Sequence, residues 1–262
     1  MLRALVARRP CVSVPVAIVR RMTSDLCCPV VELRQYTVHA DRRDDLVTLF
    51  DREFVETQEV LGMRLVGQFR DLDRPDRFVW FRGFADMPSR AAALTAFYSG
   101  PVWKEHGAAA NATMIDSDDV HLLRPADDGA GFPLPGVGGA AERPPADATL
   151  TPSSLVAVAV YSVAGDLREF GRFFAAEVQP ALGVVPLARL ETDPSPNTYP
   201  ALPVRTGENA FVCVARFDDA TAHADQLAAW ERQTGLRAEL DRRLARPPLT
   251  LRLAPTARSL LR

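Results

Sequence analysis

Glu32-Leu33-Arg34-Gln35-Tyr36-Thr37-Val38 returns later in this chain as Ala157-Val158-Ala159-Val160-Tyr161-Ser162-Val163. Phe78-Val79-Trp80-Phe81-Arg82-Gly83-Phe84 returns as Phe211-Val212-Cys213-Val214-Ala215-Arg216-Phe217. A unit of about a hundred residues is too long for a solenoid repeat. Two such units read as fused domains that pack on each other as the subunits of a homodimer do. The copies differ at polar positions. Arg34 becomes Ala159, Trp80 becomes Cys213 and Arg82 becomes Ala215. Any site is therefore expected in the first copy.

The local patterns inside each copy follow one order. Val30–Val38 alternates as a strand does. Asp41 to Leu61 has helical spacing, with Asp41 the expected N-cap and Gly62 the stop. Met63–Phe69 and Arg77–Phe84 form a hairpin across the Asp71–Asp76 turn. A helix from Ser89 to Tyr98 ends at Gly100-Pro101, and a shorter one runs from Trp103 to Asn111. Val120–Arg124 is the closing strand. The result is β-α-β-β-α-β, the ferredoxin-like α+β order. The second copy repeats it: strands Leu155–Val163, Pro186–Glu191, Asn209–Phe217 and Leu249–Leu253, with helices over 167–182 and 222–244. A Pro-rich insertion at 193–204 lengthens its hairpin. The expected organisation is an extension (1–28), a first domain (29–125), a linker poor in large apolar residues (126–152), a second domain (153–255) and a tail (256–262).

Composition narrows the partners. A net charge of −2 offers no general attraction to nucleic acid or anionic lipid. No apolar run reaches membrane-spanning length. Cys11, Cys27, Cys28 and Cys213 have neither disulfide-framework nor metal-ligand spacing, which suits a reducing compartment. Residues 1–24 hold Arg3, Arg8, Arg9, Arg20 and Arg21 and no acidic residue. That fits an upstream start with translation at Met22, hence the cytoplasm, or alternatively a mitochondrial presequence. The fused copies supply their own domain pairing and leave a further homodimer open.

Three segments carry a family resemblance: Glu-Leu-Arg-Gln-Tyr-Thr at 32–37, Asp-Arg-Phe-Val-Trp-Phe-Arg-Gly-Phe at 76–84 and Gly-Pro-Val-Trp-Lys at 100–104. With Asn111–Asp118 and the strand after it, they resemble the NIPSNAP family over about residues 30–125. Residues 154–255 look like a divergent copy that keeps the strand pattern only. The resemblance implies a dimeric α+β barrel, with two four-stranded sheets facing each other and helices outside. It implies two functions of different kinds. One is a small-molecule-binding barrel related to cofactor-independent oxygenases. The other is a non-enzymatic scaffold or adaptor, as for animal members. Fold alone does not decide between them.

Strand alternation sorts the candidate residues. In the first strand Glu32, Arg34 and Tyr36 share one face and Leu33 and Gln35 the other. In the third, Phe78, Trp80, Arg82 and Phe84 oppose Val79 and Phe81. The plainer apolar faces are expected under the helices and the mixed faces inside the barrel. Arg34, Tyr36, Trp80, Arg82 and His121 are thereby gathered as candidate ligand-binding residues, with Arg64 or Gln68 from the second strand. The arginines would orient an anionic or carbonyl group, and Trp80 and Tyr36 would stack on or hydrogen-bond an aromatic. A plainer reading has Arg34 and Arg82 pair with Glu32 or with carboxylates of the facing copy. The recurrence of Tyr36 as Tyr161 favours a structural role for it. No metal is expected, since the His and Cys residues lack a close ligand pair. No cofactor is expected either: phosphate-loop, dinucleotide and nucleophile-elbow motifs are absent, although an axial His106 or His121 leaves haem open.

Overall fold

The computed structural model describes residues 27–134 and 143–262, so the arginine-rich segment and the middle of the linker lie outside the described residues. In the first half β1 (Val30–Val38), β2 (Arg64–Asp71), β3 (Arg77–Phe84) and β4 (Met114–Pro125) pair in the order β4-β1-β3-β2. In the second, β5 (Leu155–Ser162), β6 (Ala188–Thr192), β7 (Ala210–Phe217) and β8 (Leu249–Pro255) pair as β8-β5-β7-β6. Adding four to each number of the first order gives the second. The register repeats too. Glu32, Arg34 and Tyr36 face Arg82, Trp80 and Phe78, while Ala157, Ala159 and Tyr161 face Ala215, Cys213 and Phe211. The sheets join at β2–β8 and β4–β6, which closes the eight strands into one barrel. This is the tandem ferredoxin-like α+β barrel anticipated above.

Helices lie on the outside. Residues 43–60 form one irregular helix: α1 (Arg43–Leu49), a π-helical turn (Phe50–Phe54) and α2 (Val55–Val60). The second half repeats the irregularity as α5 (Leu167–Phe173), a π turn (Phe174–Val178) and α6 (Gln179–Leu182). Each first helix thus carries a widened turn at the same point. The β3 strand leads into α3 (Met87–Ser99) and α4 (Pro101–Asn111), and β7 into α7 (Ala220–Glu231) and α8 (Thr234–Arg242). Asp86 and Asp219 cap equivalent helices by accepting from the backbone N–H of Ser89 and Ala222. Two expected caps move accordingly. Ser89 is a donor to the cap rather than the cap itself. Asp41 sits one residue too early, in left-handed backbone, and α1 starts without a side-chain cap.

One expectation about the sheet is reversed. Leu33, Val79, Phe81 and Leu123 point inward and meet Val158, Val160, Val212, Val214, Leu251 and Leu253 in the barrel core. Tyr36, Phe78, Trp80 and Phe84 point outward and pack against Phe50, Phe54, Leu94 and Phe97 of the helices. The physical reason is hydrogen bonding. A closed barrel lined by two sheets offers few acceptors inside. A helix layer brings flexible side chains and free loop groups, so buried polar atoms find partners there.

One end of the barrel is stoppered by Phe132, Leu261 and the adjacent Cys27 and Cys28, which belong to the same core. Cys27 and Cys28, neighbours in the chain, are both buried there. The last residues, expected to trail, are also part of the body. Thr256, Arg258 and Ser259 are buried, and Gln68 N–H donates to Ser259 Oγ at 3.3 Å.

Candidate functional site

The outward face of the first half's sheet holds a charged cluster. Its centre is Glu32, fully buried on β1. Arg34 Nη1 reaches it at 2.9 Å, Arg82 Nη2 at 2.6 Å and Arg90 Nε at 2.7 Å. Side-chain alternation explains two of these partners: Arg34 is two residues along the same strand, and Arg82 is the cross-strand neighbour of Glu32. Arg90 arrives from the first turn of α3. Arg82 Nη1 also donates to Gln58 Oε1 of α2 at 3.0 Å, and Arg34 Nε donates to the Tyr36 hydroxyl at 2.9 Å. The Arg82 guanidinium lies over the Trp80 ring at 4.9 Å.

Electrostatics follow from this geometry. Burial alone would raise the Glu32 pKa, but Arg82, Arg34 and Arg90 hold it well below the usual carboxylate range. The cluster keeps an excess of positive charge, three guanidinium groups against one carboxylate. Two donors inside it, Arg90 Nη2 and Trp80 Nε1, have no acceptor among the described residues.

The second half closes the cluster from outside. Its 193–204 insertion crosses to the first half, where Arg90 Nη1 donates to Asn197 Oδ1 at 3.0 Å and Thr198 Oγ1 at 3.2 Å. Tyr199 stacks on Tyr98 at 5.8 Å. Beneath lies a crevice of about 30 Å³ lined by Tyr36, Phe54, Trp80, Phe97, Tyr98 and Trp103 among others. Trp103 can lie flat on α4 because the residue one turn on is Gly107, where a Cβ would come within 2.7 Å of the indole.

Arg34, Tyr36, Trp80 and Arg82 thus come together, facing the helices rather than the barrel interior. The pairing of Arg34 and Arg82 with Glu32, the plainer alternative, is present. His121 does not join them. It pairs with Leu33 on β1 and shares that residue's inward face. Burial, helped by the nearby Arg205 guanidinium, pushes its pKa down to about 4. Gln68 lies opposite Trp80 on the outward side, and neither polar atom of its side-chain amide has a partner among the described residues. Arg64, opposite Gly83, pairs with Glu59 at 3.6 Å. Reasoning from strands missed Arg90, Gln58, Asn197 and Thr198. The first two lie on helices and the others in an insertion, and no local pattern marks them.

Comparison with known proteins places this architecture. The NIPSNAP family model matches residues 31–129. A candidate monooxygenase from Fusobacterium nucleatum is 9% identical and superposes with a TM-score of 0.55, covering 88% of this chain and 93% of that chain. A second candidate monooxygenase, from Lactobacillus acidophilus, is 11% identical with a TM-score of 0.50, covering 87% and 94%. A NIPSNAP family protein from Agrobacterium tumefaciens is 20% identical over 37% of this chain and 93% of its own, with a TM-score of 0.35. No curated protein matches the chain. Among the described residues, no helix is long and apolar enough to cross a membrane.

Proposed function

Starting from a chain that carries a NIPSNAP domain over residues 31–129, we propose that it binds a small anionic or carbonyl-bearing molecule in the helix-facing layer of that domain. The observation that carries this reading is the excess of positive charge buried around Glu32. A buried cation without a counter-ion is costly, so an anion placed beside the arginines is strongly favoured. Arg34 and Arg82 orient the ligand's oxygen atoms, Trp80 and Tyr36 form an aromatic wall, and Arg90 Nη2 and Trp80 Nε1 are donors in need of an acceptor. His121, on the other face of the sheet, has no part in it. The crevice has room for about two water molecules, so a ring enters only when the side chains lining it move apart.

The names of the two full-length structural relatives support oxygenase-like chemistry on such a ligand. A barrel core packed with aliphatic side chains supports the second reading, a scaffold without a ligand. Native mass spectrometry of gently purified protein separates them. A retained small molecule, absent from Arg34→Met and Arg82→Met, is expected. Folded protein of clean mass, with no uptake of added benzoate, would favour the scaffold.

A further inference from the structure

The second half keeps the fold of the first and loses the side chains that fill its helix-facing layer. Where the first half has Glu32, Arg34, Trp80 and Arg82, the same register positions hold Ala157, Ala159, Cys213 and Ala215. The helices have not collapsed onto the smaller residues. Between β5, β7 and β8 on one side and α6 and α7 on the other lies a cavity of about 150 Å³. Ala157 and Ala159 sit mid-strand, between hydrogen-bonded neighbours on both sides, yet each remains half-buried rather than covered.

We propose that this cavity is a second binding site, distinct from the arginine cluster, for an uncharged ring-sized molecule bearing one carbonyl or hydroxyl group. Size supports the ring: an apolar protein cavity of about 150 Å³ admits benzene. The walls support the absence of charge. They are mostly apolar, with Leu182, Val184, Phe217 and Trp230 beside the alanines. Arg252 reaches the rim but is engaged by Asp73 at 2.9 Å. Burial and the Arg252 guanidinium push the His223 pKa down, so its imidazole is neutral. The Cys213 thiol is pushed up to about 12 by burial and stays protonated.

The single polar group of the ligand follows from Tyr161. In the first half the equivalent hydroxyl, that of Tyr36, accepts a hydrogen bond from Arg34. At Tyr161 the arginine has become Ala159, and the hydroxyl has no hydrogen bond to any described residue while its side chain lines the cavity. Burial holds its pKa far above the ordinary phenol value, so at neutral pH it is a donor awaiting an acceptor. A carbonyl or hydroxyl oxygen on the ligand meets that need. Trp230, among the lining side chains, adds an aromatic wall.

The test is calorimetric titration of the full chain with three probes: acetophenone, toluene and benzoate. Acetophenone should bind best, toluene more weakly and benzoate not detectably at this site. Ala159→Leu, which fills the cavity, should abolish acetophenone binding, and Ala215→Val should weaken it. Tyr161→Phe should weaken acetophenone by about five- to tenfold, the worth of one hydrogen bond, and leave toluene unchanged. Arg34→Met should leave acetophenone and toluene binding unchanged while removing any benzoate heat that comes from the first half, which separates the two sites. Any of three results overturns the proposal: no binding of acetophenone by folded wild type, binding unchanged in both filling variants, or benzoate competing at the same pocket. If wild type is a dimer that covers the pocket and excludes all three probes, the pocket is an interface and the ligand proposal fails.

Discussion

The two halves of this barrel agree in strand order, in register and in the position of a π-helical turn, and they differ in what fills the layer between sheet and helices. Around Tyr36 the first half packs that layer with three guanidinium groups, a carboxylate and an indole. Beside the equivalent Tyr161 the second half sets alanines and a thiol at those positions and leaves a cavity. The backbone is therefore indifferent to the contents of this layer, and the barrel core beneath is what both halves share. Both halves share the apolar interior that holds the closed sheet together, while their outer layers are free to differ in polarity and filling.

The largest test of that contrast is Glu32→Gln. It leaves three buried arginines without their counter-ion and should cost about 3–5 kcal/mol, read from urea unfolding. A variant as stable as wild type would mean the cluster is already compensated from elsewhere and would break the comparison.

The next concerns the inward face, where His121 stands at the position held by Leu251 in the second half. The folded pKa of His121 is about 4 against an ordinary value of 6.5. Between these values the unfolded chain binds a proton that the folded chain refuses. Wild type should lose stability as pH falls through this window, by about 3 kcal/mol in all. His121→Leu lacks that slope. Unfolding curves at pH 7 and pH 4.5 that shift in parallel for both proteins would contradict the burial of a neutral imidazole.

How far the sequence foretold this depends on the signal. The repeat, the β-α-β-β-α-β order and the equivalence of Tyr36 with Tyr161 were legible because strand patterns are local. The inward face was misjudged because β3 is buried on both sides. Phe78, Trp80 and Phe84 are as hydrophobic as Val79 and Phe81, and a strand covered on both faces carries no amphipathic signal. Glu32 was visible as a partner for the arginines. Arg90 and its contacts were not: Asn197 lies 107 residues away in the chain, on an insertion whose path no spacing rule predicts.

A smaller effect sharpens the comparison from the other side. Ala159→Arg places a guanidinium in the second half without the carboxylate of the first and should cost about 1–3 kcal/mol. Adding Ala157→Glu should recover at least half of that, a coupling of the size expected for paired buried charges. Additive costs in the double variant would show that the second half can no longer hold such a pair. The smallest effect belongs to Trp80→Phe. The indole Nε1 has no acceptor among the described residues, so losing it removes no hydrogen bond, and the change should stay within about 1 kcal/mol.

The most direct measurement is diffraction from crystals soaked separately with 4-iodobenzoate and 4-iodoacetophenone, locating the iodine by its anomalous signal. The account predicts the charged compound beside Arg34 and Arg82 in the first half and the uncharged one between Ala159 and Trp230 in the second. Either compound inside the barrel, or both in one pocket, would contradict it.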